Sequence, residues 1–135
     1  MLPSLHDDFL ISYEVHCEAR RIVLRARRDT RPDPKPGPAL DRIVSFEGVE
    51  GYRFWDDAFG NIIFSLAEVP IDKIFLNHRS EIEESHRMSG APGPWAGDLD
   101  SASAVLGAKG VKGFELSSSY GLSGWILAKE ATEKS

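Results

Sequence analysis

Arg42-Ile43-Val44-Ser45-Phe46-Glu47, Tyr52-Arg53-Phe54-Trp55 and Asn61-Ile62-Ile63-Phe64-Ser65-Leu66 follow one another with Gly48, Gly51, Asp56, Asp57 and Gly60 as punctuation. The three runs are rich in β-branched and aromatic residues, and the residues between them favour turns. They read as a meander of three strands, with Ile62, Phe64 and Leu66 on one face and Tyr52 and Phe54 on one face of the strand before it. No helical pattern separates them, so alternating βαβ units and a doubly wound parallel sheet are excluded.

Upstream, residues 9–19 alternate with period two. Phe9, Ile11, Tyr13, Val15, Cys17 and Ala19 share one face; Leu10, Ser12, Glu14, His16 and Glu18 share the other. The first set is expected inside, which buries Cys17 as a small hydrophobe. Residues 21–28 continue as a second strand, and pairing Cys17 with Ile22 would set Glu14 opposite Arg25. The turn then falls at Ala19-Arg20, or in a longer loop, since neither residue favours positive φ.

Downstream, Pro70 and Asp72 open a helix over about 70–89. Ile71, Ile74, Phe75, His78 and Ile82 recur at helical spacing, and Gly90 supplies the stop. A short helical piece follows around Ser101–Leu106. Phe114–Ser117 and Trp125–Ala128 then flank Tyr120-Gly121-Leu122-Ser123-Gly124 as a last hairpin. Irregular loops are expected at about 29–41, where prolines crowd, and at about 90–100; a polar tail at about 130–135 is expected to fray. The chain thus predicts a single α+β domain over 1–135. About seven strands form a curved antiparallel sheet on one main helix, and a sheet of that many strands can curl into a partly closed barrel.

Composition narrows the functional classes. With 135 residues, 41% hydrophobic and 27% charged, the chain is long enough for one core and too apolar for a disordered segment. One cysteine rules out an internal disulfide framework. No apolar run spans a bilayer, and the first eight residues lack a basic region and an apolar core, so a cytoplasmic protein without membrane attachment is expected. The net charge of −5 conceals a basic segment, residues 20–42, that is +5 by count against −10 elsewhere. Those arginines lack interleaved aromatics and are expected to pair with nearby carboxylates, so nucleic acid is not the expected partner.

Catalytic signatures are incomplete. His6-Asp7 matches the dipeptide of metal-dependent phosphohydrolases, but those need further ligands from a helical bundle, and strands surround it here. Glu14, His16 and Glu18 share a strand face, yet the Arg25 and Arg27 face beside them repels a cation; no metal and no cofactor are expected. No nucleophile elbow and no phosphate-binding glycine loop occurs. His78, on the apolar stripe of the helix, is the one catalytic candidate.

The aromatic loop ends remain. Trp55 with Asp56 and Asp57 forms an aromatic-acidic rim, Trp95 sits in a Pro/Gly loop where it anchors a partner or folds back as a lid, and Tyr120 tips the last hairpin. These five are the candidate binding residues. The expected function is a non-enzymatic protein–protein interaction domain of the toxin-neutralising type, an analogy of size and charge. The alternative is a small-molecule-binding, hydrolase or isomerase domain with a pocket under the helix and His78 as acid/base.

Overall fold

The computed structural model describes residues 2–28 and 41–134. Eight strands are found among them: β1 (Phe9–His16), β2 (Arg21–Arg27), β3 (Asp41–Glu47), β4 (Gly51–Trp55), β5 (Ile62–Val69), β6 (Lys112–Tyr120), β7 (Ser123–Ala128) and β8 (Glu130–Lys134). Two helices, α1 (Ile71–Ser89) and α2 (Leu99–Ala108), flank a 3₁₀ turn at Pro94–Gly97. The class is α+β. All strands join one antiparallel sheet in the order β4-β7-β6-β5-β1-β2-β3-β8.

The edges β4 and β8 share no ladder, so the sheet is open rather than a closed barrel. It is nonetheless strongly bent. β3 runs into β4 through three residues, and Lys129 alone separates β7 from β8. At this corner Lys129 N–H donates to Glu47 O (3.0 Å) and Glu50 N–H donates to Leu127 O (2.8 Å). β7 is therefore buried on both faces. Ile126 and Ala128 enter a core inside the bend with Leu24, Val44, Phe46, Ile63, Phe114 and Leu5. Trp125 and Leu127 enter a second core with Ile74, Phe75, Ile82, Leu99 and Leu106 of the helical layer. Each fully buried aliphatic contributes about 1.5–3 kcal/mol relative to exposure.

The long helix forms where its apolar spacing predicts. Ile71, Ile74, Phe75 and Ile82 are its buried residues, Pro70 precedes the first turn, and Gly90 (φ 80°) closes it by donating to His86 O at 2.8 Å. The backbone leaves helical geometry at His78 (φ −127°, ψ 17°), which kinks it. Asp72 in the first turn and His86 and Arg87 in the last suit the helix dipole.

Several expectations are corrected. The three runs around Phe46, Phe54 and Phe64 are strands but not a meander: β3 pairs with β2 and β8, β4 with β7, and β5 with β6 and β1. Strand number is eight rather than seven because the polar tail at 130–134 is β8, held by pairing with β3. The helical piece expected around Ser101–Leu106 is found as α2, which is longer and begins at Leu99, within the expected loop at 90–100. In β1 a register shift between Leu10 and Ser12 breaks the alternation. Such a bulge carries the strand from one face to the other. Leu10 lies opposite Ala26 before it, Tyr13 and Val15 lie opposite Leu24 and Ile22 after it, and Ile11 is exposed. Cys17, expected inside, is exposed in a four-residue turn with Arg20 at φ 52°. The proline-rich loop expected at 29–41 lies outside the described residues except for Asp41, which begins β3.

Candidate functional site

β4 is a short aromatic strand with one hydrogen-bonded neighbour among the described residues. It lies tightly on β7 because position 124 is glycine: a Cβ there would sit 2.3 Å from Arg53 O and 2.4 Å from Phe54 Cδ1. Beside it, toward α1, runs an open groove of about 490 Å³, walled by Tyr52, Arg53 and Phe54 of β4, by Ile82 and Ser85 of α1, and by Ala91 and Pro92. Trp125 and Ile82, each 1% exposed, supply its floor. Arg53 and Trp125 are cross-strand partners and so share the helix-facing side, while Tyr52 and Phe54 take the other (ring centroids 5.4 Å apart). The Trp125 indole N–H has no acceptor among the described residues. Leaving such a donor buried and unpaired costs about 1–3 kcal/mol.

Both ends of the groove are fixed by side-chain bonds. At the Pro92 end, Trp95 Nε1–H donates to Glu50 O (3.0 Å), and the indole stacks on Phe75 with ring centroids 5.6 Å apart. Gly51 makes room for it, since a Cβ there would stand 2.7 Å from Trp95 Cζ2. At the Trp55 end, Asp57 accepts from Tyr13 Oη (2.7 Å), Phe59 N–H (2.8 Å) and Asn61 Nδ2 (2.9 Å). Asn61, 4% exposed, accepts in turn from Ala58 N–H (3.0 Å) and Leu122 N–H (2.8 Å). The Asn61 bond first, then Phe59 N–H and Tyr13, hold the Asp57 carboxyl below its ordinary value; the bond to Asp57 raises the Tyr13 phenol. The edge of Tyr13 also meets Phe54, with centroids 5.5 Å apart.

A second cavity, of about 270 Å³, lies among Ser4, His6, Asp7, Asp8, Arg28 and Arg42. Asp8 is 2% exposed; Arg42 Nε stands 3.7 Å from its Oδ2, which has no hydrogen-bond partner among the described residues. Burial raises the Asp8 pKa, opposed by Arg42 and Arg28 and aided by Asp7. His6 is turned to Asp7 (3.4 Å) and Phe64 O (3.0 Å). No group of three or more metal-ligating side chains is found among the described residues.

The basic strands are charge-paired. Arg27 and Arg25 bond Asp41 at 2.8 and 3.3 Å, and Arg21 bonds Glu47 at 2.9 Å. Both carboxyls sit below their ordinary values, Asp41 chiefly through Arg27 and Glu47 chiefly through Ser45 and Arg21. Arg53 makes no ion pair among the described residues.

The candidate binding residues do not form one surface. Trp55 is half-buried against His78, ring centroids 5.4 Å apart, and belongs to the outer core. Asp56 is exposed at φ 64°, Asp57 is the network hub described above, and Tyr120 is exposed at the end of β6. Trp95 is folded back as a lid. His78 does not wall the groove beside β4, and its ring faces Trp55 rather than a carboxylate. The groove residues Arg53, Ser85, Pro92 and Trp125 were not singled out as a site by their spacing, because three distant segments supply them. The one local signal is Arg53, a lone charge within an aromatic strand. No family model, no curated protein and no solved structure matches this chain.

Proposed function

We propose that the chain is a protein-recognition module that receives a segment of its partner in the groove beside β4. The observation that carries this reading is the groove itself: a trough of about 490 Å³ beside a strand edge that is unpaired among the described residues, with a buried tryptophan at its floor. The chemistry of its walls is that of recognition, with aromatic rings, a guanidinium, a hydroxyl and a proline side by side. Aromatic residues and arginine are the types that carry most binding energy at protein interfaces. The ends are pre-organised by Trp95 and by the Asp57–Asn61 network, which lowers the ordering cost of binding. Toxin-neutralising proteins stay the class with which size and acidity compare.

The test is selection from a displayed library of random twelve-residue peptides, followed by amide-shift mapping of a selected peptide on the labelled chain. Shifts confined to residues 51–55, 82–92 and 124–126, and abolished by Ser85→Arg, support the reading. Peptides that map to another face, or a selection that enriches none, overturn it.

A further inference from the structure

We infer that the partner segment binds as an added antiparallel or parallel strand on β4 and carries an acidic residue at its centre, flanked by β-branched residues. This rests on the proposed function and specifies its mode and chemistry. Strand addition needs an edge with free backbone groups next to a groove that accepts alternate side chains. β4 offers both: β7 is its one ladder among the described residues, and the trough it shares with α1 is walled by three of its residues.

The side chains of β4 set the sequence such a strand needs. Successive residues on a strand alternate between faces. The added strand therefore presents one set of side chains toward Arg53, Ser85 and the Trp125 floor, and the other toward the Tyr52 and Phe54 rings. Arg53 lies at the middle of Gly51–Trp55 and has no carboxylate partner among the described residues, whereas Arg21, Arg25, Arg27 and Arg42 have theirs. A carboxylate on the neighbouring strand meets it as a favourable cross-strand pair. On the other face, β-branched residues suit a tilted aromatic pair.

The same feature disfavours a second copy of this chain as occupant. A two-fold antiparallel pairing of β4 with itself centred on Arg53 puts two guanidinium groups directly opposite, an arrangement that destabilises a sheet. A partner of complementary charge has no such penalty.

The probes are three capped peptides, Ser-Thr-Val-Glu-Val-Thr-Ser and its counterparts with Gln or Lys at the centre, titrated into the whole chain by calorimetry and amide-shift mapping. The Glu peptide is expected to bind about fivefold more tightly than the Gln peptide and at least about tenfold more tightly than the Lys peptide. Arg53→Gln should erase the Glu-over-Gln preference, and Arg53→Glu should turn preference toward Lys. Arg53 is exposed, so both variants are expected to keep the parent amide spectrum elsewhere. Equal affinities for the three peptides, or a Glu preference that persists in Arg53→Gln, overturn the inference. If none of the three binds while library-selected peptides still map to the groove, the strand-and-acid inference fails and the recognition reading stands. If the selection also yields nothing, both fail.

Discussion

Among the described residues the sheet has two edges, each five residues long, and they are built to opposite specifications. β8 reads Glu130-Ala131-Thr132-Glu133-Lys134; its one inward anchor is Ala131, and its outer edge is lined with charge. β4 reads Gly51-Tyr52-Arg53-Phe54-Trp55, with three aromatics and one unpaired guanidinium. Charged residues on an edge strand discourage the pairing of another chain, and aromatic ones invite it. The charged edge disfavours association; the aromatic edge lacks that protection, which is what the proposed function draws on. Their fastening differs as well. β8 depends on its ladder with β3, whereas β4 is clamped by Gly124 beneath it, Trp95 at one end and the Asp57–Asn61 network at the other.

The sharpest way to break this contrast is Gly124→Val. The new side chain would overlap Arg53 O and the Phe54 ring, so β4 should be pushed off β7 at a cost of about 3 kcal/mol in urea unfolding. Thr132→Val on β8 should change stability by less than about 0.5 kcal/mol. Equal effects would mean that the two edges are held alike.

Next in size is Asn61→Ala. Two backbone N–H groups, of Ala58 and Leu122, lose their acceptor, and a loss of about 2 kcal/mol is expected. The melting temperature and the amide exchange of residues 51–61 would report it.

The pH response divides the molecule in another way. Asp57, beside β4, has a folded pKa below the unfolded value of 3.8, so its stabilisation is present above pH 3.8 and lost as pH falls through the lower folded value. Asp8 is bound to β3, the strand that carries β8, through Arg42, and its folded pKa is raised. Its contribution is fully present below 3.8 and lost as pH rises through the folded value. Asp8→Asn should therefore raise stability at pH 7 and have little effect at pH 3, whereas Asp57→Asn should lower it at pH 7. Urea midpoints at the two pH values check both signs. An Asp8→Asn protein less stable at pH 7 would show that the Arg42 pair outweighs burial.

Legibility followed the same physics. The long helix was readable within a residue because Ile71, Ile74, Phe75 and Ile82 recur at its period and Gly90 stops it. Most strand segments were readable from their β-branched and aromatic content. Strand order was not, because β4 pairs with β7 across about seventy residues of chain. Alternation in β1 points to the right face for Tyr13 and Val15 and to the wrong one before them, because a bulge at Ile11 leaves no sequence mark. β8 looked like a frayed tail for the reason that makes it a protected edge, its Glu, Thr and Lys side chains. Trp95 was recognised as a residue of consequence, but whether it points outward or folds in depends on Glu50 O and Phe75, distant in sequence. A pocket under the helix was expected, but not its lining, since the floor is a tryptophan that reads as ordinary core.

The smallest expected effect is also the most discriminating for function: Ser85→Arg should leave stability within about 0.5 kcal/mol while filling the groove. An unfolded protein there would remove the contrast between a structural β7 face and a free β4 face.

The most direct measurement is a set of interstrand amide contacts, by nuclear Overhauser effects, between the isotope-labelled chain and the unlabelled Glu-centred peptide. The account predicts contacts from peptide amides and α-protons to residues 51–55, with slowed exchange of those amides and no contact to residues 130–134. Contacts to β8, or a bound peptide that leaves the β4 amides as they were, would contradict it.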